Sequence, residues 1–317
     1  MVACRQKSMR WLDIYTEVSE EEVTRLLLAA GKAELRKMEP LAGGWANSTY
    51  LLTLDDDSQL VLKVWTNRTP TAVERIIRNT CWLVDRGVST PLPLQLKDGE
   101  RMLVINGISW TLMPYISGDW LSSDPPSLHD IGRVQALLHQ VPVYEDILHS
   151  LSYGYVFWER LVKDACKQEA PSPFIQKLKK ETATLKLKIP EDLPRGIIHG
   201  DLSPVNVIGR KGQVLALLDF EEICVESFVL DIAMTFVHFG WKDGLPVTEL
   251  WDALLDGYQS VRHLTDAERA ALPHLHRYSV LALAAWRYSE YVIKNPGTEL
   301  TKRYIEMVDR LDKQLPF

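Results

Sequence analysis

Three features predict an α+β chain in two parts, a small β-rich N-terminal lobe of residues 1–115 and a larger, mainly helical C-terminal lobe of residues 116–317. They are a glycine-led hairpin pattern early in the chain, helical periodicity after residue 118, and a length of 317 residues, enough for about two domains. The elements follow in order. Ser19-Glu20-Glu21-Glu22 ahead of Val23, Leu26, Leu27 and Ala30, with Gly31 after them, is a capping box opening an amphipathic helix that a glycine closes. Gly43-Gly44 then leads a hairpin of strands 48–54 and 59–65 around Asp55-Asp56-Asp57-Ser58. A helix over 71–86 carries Val73, Ile76, Ile77, Thr80 and Val84 on one face and ends at Gly87. Strand-like runs at 92–96 and 101–105 meet at Lys97-Asp98-Gly99, and a third, 108–113, stops at Pro114. Beyond Gly118, residues 127–140 place Ile131, Val134, Leu137 and Leu138 at helical spacing, and 174–187 is a lysine-rich amphipathic helix with a solvated face. Short apolar runs at 196–199 and 214–220 precede helices from Leu230 onward.

Composition narrows the partners. Lys+Arg 36 against Asp+Glu 42 gives a net charge of −6, with no field to draw nucleic acid or anionic lipid to the surface. Neither is expected as a partner, and an anionic ligand must be held locally. No segment approaches the roughly 18 apolar residues of a membrane span, and the N-terminal residues contain no apolar run of signal-peptide length. Cys4, Cys81, Cys166 and Cys224 are widely spaced, without a Cys-x-x-Cys pair or a disulfide framework. A cytoplasmic monomer or homodimer is expected.

The chemistry is concentrated in Ile198-His199-Gly200-Asp201-Leu202-Ser203-Pro204-Val205-Asn206 and Leu217-Leu218-Asp219-Phe220-Glu221. Asn206 follows Asp201 by five residues, the spacing of kinase catalytic loops, and Asp219 ends an apolar strand further on. Phosphoryl transfer needs a carboxylate at the attacking hydroxyl and oxygen ligands for a metal at the phosphates. Asp201 suits the first task, Asn206 and Asp219 the second, since Mg²⁺ takes hard oxygen donors and keeps several waters. The histidines His129, His139, His149, His274 and His276 form no metal-ligand spacing. In the N-terminal half Lys63 interrupts the apolar strand 60–65, as a phosphate-binding lysine does, and Glu74 is the carboxylate on the following helix that would pair with it. Gly43, Gly44, Asn47 and Ser48 would offer backbone and side-chain donors to phosphate. The Met113-Pro114-Tyr115-Ile116 segment would offer backbone hydrogen bonds to adenine, with Met113 and Leu62 as apolar walls.

On these motifs, and on Leu230-Asp231-Ile232-Ala233 and the helix 131–139 ending in Leu-His, the chain resembles the aminoglycoside phosphotransferase and choline kinase-like family of small-molecule kinases. The resemblance spans nearly the whole chain. It implies a bilobal protein kinase-like fold, ATP and Mg²⁺, transfer of the γ-phosphate to a small alcohol, Asp201 as base, Asn206 and Asp219 as metal ligands, and Asp231 tying the catalytic loop. Residues 257–265 and 268–273 are similar to the homoserine kinase-like branch. A small acceptor is favoured over a protein substrate, because a protein kinase needs a long activation loop closed by Ala-Pro-Glu, whereas Asp231 follows Asp219 by 12 residues and no Ala-Pro-Glu occurs.

The acceptor stays open between homoserine, choline or ethanolamine, methylthioribose and an aminoglycoside, with a non-catalytic nucleotide-binding regulator as the reading from another class. A choline-like cation would need an aromatic cage, for which Trp241, Trp251, Trp286, Tyr288 and Tyr291 are candidates. An amino acid would need a cation for its carboxylate, from Arg287 or Arg262.

Overall fold

A computed structural model describes residues 18–41, 47–148, 150–165 and 172–317. The expectations resting on Gly43 and Gly44 lie outside the described residues. The chain divides into two compact units, Met1–Ser117 and Gly118–Phe317.

The first unit begins with α1 (Glu20–Ala29), whose Ser19 and Glu22 form the expected capping box. Strands β1 (Leu35–Pro40), β2 (Ser48–Leu54), β3 (Gln59–Trp65), β4 (Leu103–Ile105) and β5 (Ile108–Pro114) make an antiparallel sheet in the order β1-β2-β3-β5-β4. Helix α2 (Pro70–Val84) follows β3 from an N-cap at Thr69. Side chains alternate across the sheet, so Leu60, Leu62 and Val64 join Leu52, Leu54, Leu112 and the α1 residues Val23, Leu26 and Leu27 in one core. Trp65 points the other way, packing with Val73, Ile76 and Ile77 of α2. This parity corrects one expectation: Leu62 is fully buried in the core, on the face opposite Lys63, and cannot wall a site that Lys63 serves. Val61 shares the Lys63 face and pairs in register with Met113. Residues 92–96 are not a ladder strand either. Pro91 and Pro93 lack the N–H groups a ladder needs, and only Leu94 donates to Leu112 across the gap.

The second unit opens with β6 (Asp119–Trp120), α3 (Pro125–His139), α4 (Tyr155–Ala165) and α5 (Pro173–Lys188). Short strands β7 (Arg195–Ile198), β8 (Val207–Arg210), β9 (Gln213–Leu217) and β10 (Cys224–Ser227) follow, paired as β7 with β10 and as a β6-β8-β9 sheet. Helix α6 (Phe228–Phe239), the small β11 (Trp241–Lys242) and β12 (Leu245–Pro246) hairpin, α7 (Thr248–Gln259), α8 (Asp266–Tyr288) and α9 (Arg303–Val308) complete it. Helices α3 and α7 approach closely because Gly132 and Gly257 face backbone. A Cβ on Gly132 would lie 2.1 Å from the Leu254 carbonyl oxygen, and one on Gly257 1.8 Å from that of His129. The buried stripe of α3 runs through Leu128, Ile131, Gln135 and Leu138, whereas Leu137, expected inside, is 44% exposed. Among the described residues no helix is long and apolar enough to cross a membrane.

Candidate active site

Strand β7 delivers His199-Gly200-Asp201 from a buried position, and the loop then turns into Pro204–Asn206 and β8. Gly200 has φ +79, and a Cβ there would lie 2.6 Å from the Glu222 carbonyl oxygen, so both conformation and space require glycine. Its carbonyl accepts a hydrogen bond from the Tyr153 hydroxyl. Asp231, fully buried near the start of α6, holds the loop from within: the His199 N–H donates to its Oδ2 at 3.1 Å and the Gly200 N–H to its Oδ1 at 2.9 Å. Gln135 Nε2 and His139 Nε2 meet the same Oδ2 at 2.8 and 3.1 Å. Burial alone would raise the Asp231 pKa, but the hydrogen bond and charge of His139 and the bond from Gln135 hold it down to about 2.

The support continues outward. His139 Nδ1 is 2.8 Å from the Tyr258 hydroxyl, Arg262 donates to that hydroxyl at 3.3 Å and to Glu268 at 2.9 Å, and Glu268 is fully buried. A continuous polar chain from α8 through α7 and α3 thus ends on the catalytic loop. Only Asp231 of this chain was expected to act on the loop. Gln135 and His139 carried a signal: two polar residues, spaced i and i+4, in an otherwise apolar helical stripe.

Asp201 is brought to the surface by this frame, its side chain 38% exposed. Its N–H donates to His199 Nδ1 at 3.2 Å, and His199 Nε2 donates to the Leu218 carbonyl at 2.9 Å, which fixes a neutral histidine; burial lowers its pKa further. Asn206 Nδ2 donates to the Asp201 carbonyl at 2.8 Å and to Asp201 Oδ2 at 3.3 Å. With the amide nitrogen so engaged, Oδ1 is the atom that a cation would meet. The β8-β9 pairing sets Val207 opposite Leu217, and Leu218 N–H donates to the Asn206 carbonyl at 2.8 Å, so Asn206 and Asp219 leave adjacent strand ends. Asp219 has a left-handed backbone, φ 62 and ψ 63, which costs a non-glycine residue on the order of 1 kcal/mol and is concentrated at functional positions. An amide oxygen and a carboxylate are the hard donors that suit Mg²⁺ with nucleotide phosphates. Among the described residues no cluster of three or more His, Cys, Asp or Glu side chains could hold a metal, so a divalent ion here would depend on that small set and its ligands. His238, near the end of α6, was not anticipated: its buried Nε2 lies 3.5 Å from Asp201 Oδ1 and has no hydrogen-bond partner.

In the first unit, Lys63 is buried with its ammonium 4.1 Å from the Trp65 ring centroid, in register with Thr49 and Thr111. Trp65 is itself fixed by a 3.0 Å bond from Nε1 to Thr111. The expected pair with Glu74 is not formed. Glu74 lies exposed on α2, because the buried face of that helix runs through Val73, Ile76, Ile77 and Thr80. Asn47 and Ser48 are buried at the start of β2, Met113 is half-buried and Tyr115 exposed at the end of β5.

The acceptor candidates do not converge. Trp241 stacks on His276 and against Arg310, whereas Trp286 meets Tyr291 edge-on at 5.8 Å, and no ring contact joins Trp241 to either. Trp251 packs with Phe236 and Phe317, which in turn meet the His276 ring under Trp241, whereas Tyr288 is buried apart with Phe174 and Tyr304. Arg287 donates to the Arg303 carbonyl and to Glu306, and Arg262 to Glu268, so both expected carboxylate binders already have acidic partners.

A loop presenting Asp201, with Asn206 and Asp219 alongside and Asp231 beneath, has the kind of arrangement that phosphoryl transfer needs. The profile of the phosphotransferase enzyme family matches residues 37–264, and the chain belongs to that family, whose members share a protein kinase-like fold. It is a small-molecule kinase. The homoserine kinase of Rhizobium rhizogenes is 31% identical over 300 residues, covering 92% of each chain. That of Rhizobium meliloti is 28% identical over 92% of this chain and 90% of the relative. Among solved structures, an amicoumacin kinase in complex with AMP-PNP, Ca²⁺ and its ligand superposes with a TM-score of 0.71 at 18% identity, over 95% and 96% of the two chains. A microcompartment-associated aminopropanol kinase gives 0.69 at 20% identity, over 91% and 95%.

Proposed function

We propose that the protein transfers the γ-phosphate of ATP, with Mg²⁺, to the hydroxyl of a small amino alcohol, homoserine being the acceptor of choice. The observation that carries this reading is Asp201, an exposed carboxylate on a loop in which the N–H groups of His199, Gly200 and Asp201 are all held by hydrogen bonds. Asp201 accepts the proton of the acceptor hydroxyl as its oxygen bonds to the γ-phosphorus and the bond to the β-phosphate oxygen breaks, releasing ADP. Asn206 orients the Asp201 carboxylate through Nδ2, and its Oδ1 together with the Asp219 carboxylate would hold the metal. Bound Mg²⁺ supplies charge neutralisation at the phosphates. Lys63 would bind phosphate oxygens, Asn47 and Ser48 would add donors, and Val61, Met113 and Tyr115 would take the adenine. Glu74 is given no role.

Homoserine is preferred to choline because the aromatic candidates form no common cage, and Trp241 already has a guanidinium against its ring. The relatives' names point the same way, and the aminopropanol kinase acts on a related amino alcohol. A cytoplasmic location fits an ATP-dependent enzyme of this kind. A coupled ADP-release assay over homoserine, choline, ethanolamine, methylthioribose and an aminoglycoside tests the acceptor, and turnover of choline alone would replace homoserine. Asp201→Asn is expected to lower kcat roughly 10²- to 10⁴-fold with an unchanged melting temperature. A wild-type rate in that variant would remove Asp201 as the base.

A further inference from the structure

The end of α6 and the segment around α9 bring two guanidinium groups together, Arg287 paired with Glu306 and Arg310 without a carboxylate of its own. Arg310 Nη1 donates at 2.6 Å to the carbonyl of Val237, one of the terminal carbonyls that α6 cannot satisfy internally. That bond occupies one of the five guanidinium N–H groups. Its guanidinium carbon lies 4.8 Å from the Trp241 ring centroid. Among the described residues no carboxylate comes within ion-pair reach of Arg310, because Glu306 is engaged by Arg287 at 3.2 Å. Burial, and then the like charge of Arg287, bring the Arg310 pKa down from 12.5 to about 10, with Glu306 opposing from a distance. Two partly buried guanidinium groups side by side are a cost that a bound anion would offset.

A second, independent observation concerns the rings beside Arg310. Trp241 and His276 stack with centroids 5.6 Å apart, and their polar atoms, Trp241 Nε1 and His276 Nε2, are buried with no hydrogen-bond partner. His276 is only 2% exposed, and burial, followed by the charge of Arg310, disfavours its protonation. A buried indole N–H left without an acceptor costs free energy that a bound acceptor would recover. An anion would engage all three groups: the free guanidinium N–H groups, the indole N–H and a neutral imidazole N–H.

The location relates this group to the reaction. Val237, capped by Arg310, directly precedes His238, whose Nε2 lies 3.5 Å from the Asp201 carboxylate. The Arg310 cap and the Asp201 contact therefore lie on the same last turn of α6. We propose that Arg310, Trp241 and His276 form the subsite for the carboxylate of the acceptor, a short amino acid whose terminal hydroxyl is presented to Asp201. This rests on the amino-alcohol kinase reading and sharpens it. The task expected of Arg287 or Arg262 falls to Arg310, the guanidinium of the three with no carboxylate in reach.

The test compares homoserine with 3-amino-1-propanol, which is the same molecule without its carboxylate. Wild-type enzyme is expected to prefer homoserine in kcat/KM. In Arg310→Gln that preference falls roughly 30- to 100-fold, mostly through KM, since charge-assisted hydrogen bonds are among the stronger ones. Arg310→Lys recovers part of it. Trp241→Phe, which keeps a ring and removes the N–H, lowers the preference roughly 5- to 10-fold and serves as the second variant if loss of the Val237 cap unfolds the first. Equal use of both alcohols by wild type, or an unaltered preference in both Arg310→Gln and Trp241→Phe, overturns the proposal. Inhibition by inorganic phosphate that is equal against the two alcohols, with no preference between them, would assign the site to a free anion and overturn it as well. Should neither alcohol be phosphorylated, the choice of acceptor fails by itself. Calorimetric titration with homoserine then decides the subsite: binding lost in Arg310→Gln supports it, and no binding, or equal binding to both proteins, overturns it.

Discussion

On the Asp231 side of the catalytic loop, Gln135, His139, and the N–H groups of His199 and Gly200 converge on one buried carboxylate, and Tyr258, Arg262 and Glu268 continue the chain. On the Asp201 side the carboxylate is exposed and His238 beside it has an unpartnered nitrogen. The two aspartates lie in one unit and have opposite tasks. A buried polar network is most stabilising when each member is satisfied, and the Asp231 network comes close to that condition: the carboxylate accepts four bonds, while Gln135 Oε1 is buried without a partner. Groups that must bind a ligand have to be left incomplete, and His238 Nε2, 3.5 Å from Asp201, is one such atom.

The sharpest way to break this contrast is Asp231→Ala. It strands two loop N–H groups, Gln135 and His139, and is expected to cost about 3–5 kcal/mol in urea unfolding. A loss under 1 kcal/mol would show that the network is ornamental. Next in size is an acid effect from the opposite side. The His276 pKa is lowered by burial and then by Arg310 to about 3, below the ordinary value of 6.5, so the folded state disfavours its proton. A depressed folded pKa contributes stability that is complete above the unfolded value and is lost as pH falls toward the folded one. Between pH 6.5 and pH 5, stability should fall on the order of 2 kcal/mol more in wild type than in His276→Gln. Parallel curves for the two proteins would place His276 in water. The smallest effect is Tyr258→Phe, which removes one hydroxyl between His139 and Arg262. It should cost about 1 kcal/mol and reduce kcat only slightly, as read from thermal melts and steady-state rates.

Local features of the fold were legible in the sequence. The hairpin strands 48–54 and 59–65 are found at those residues, because alternation and the Asp-rich turn act over a few positions. The capping box at Ser19 is equally local. Residues 92–96 misled because apolar composition suggests a strand while the prolines withhold its donors. In the site, Asp201, Asn206 and Asp219 were readable since one loop and one hairpin bring them together. Glu74 was misplaced because helix phase, which decides whether a side chain faces Lys63, depends on how α2 packs. The partners of Asp231 were legible only in part: Gln135 and His139 stand out at i and i+4 in an apolar stripe, but they lie 96 and 92 residues from it, and helix periodicity does not say what they will meet. His238 and Arg310 were missed for the same reason.

The bond from Arg262 to Glu268 has a practical side. The family profile ends at residue 264, yet the buried carboxylate that neutralises Arg262 comes four positions later, and Arg310 caps α6 from further still. A protein trimmed to the profile's limits would therefore keep every residue of the phosphoryl-transfer loop and lose the brace behind it. Its failure would look like a catalytic defect while being one of architecture.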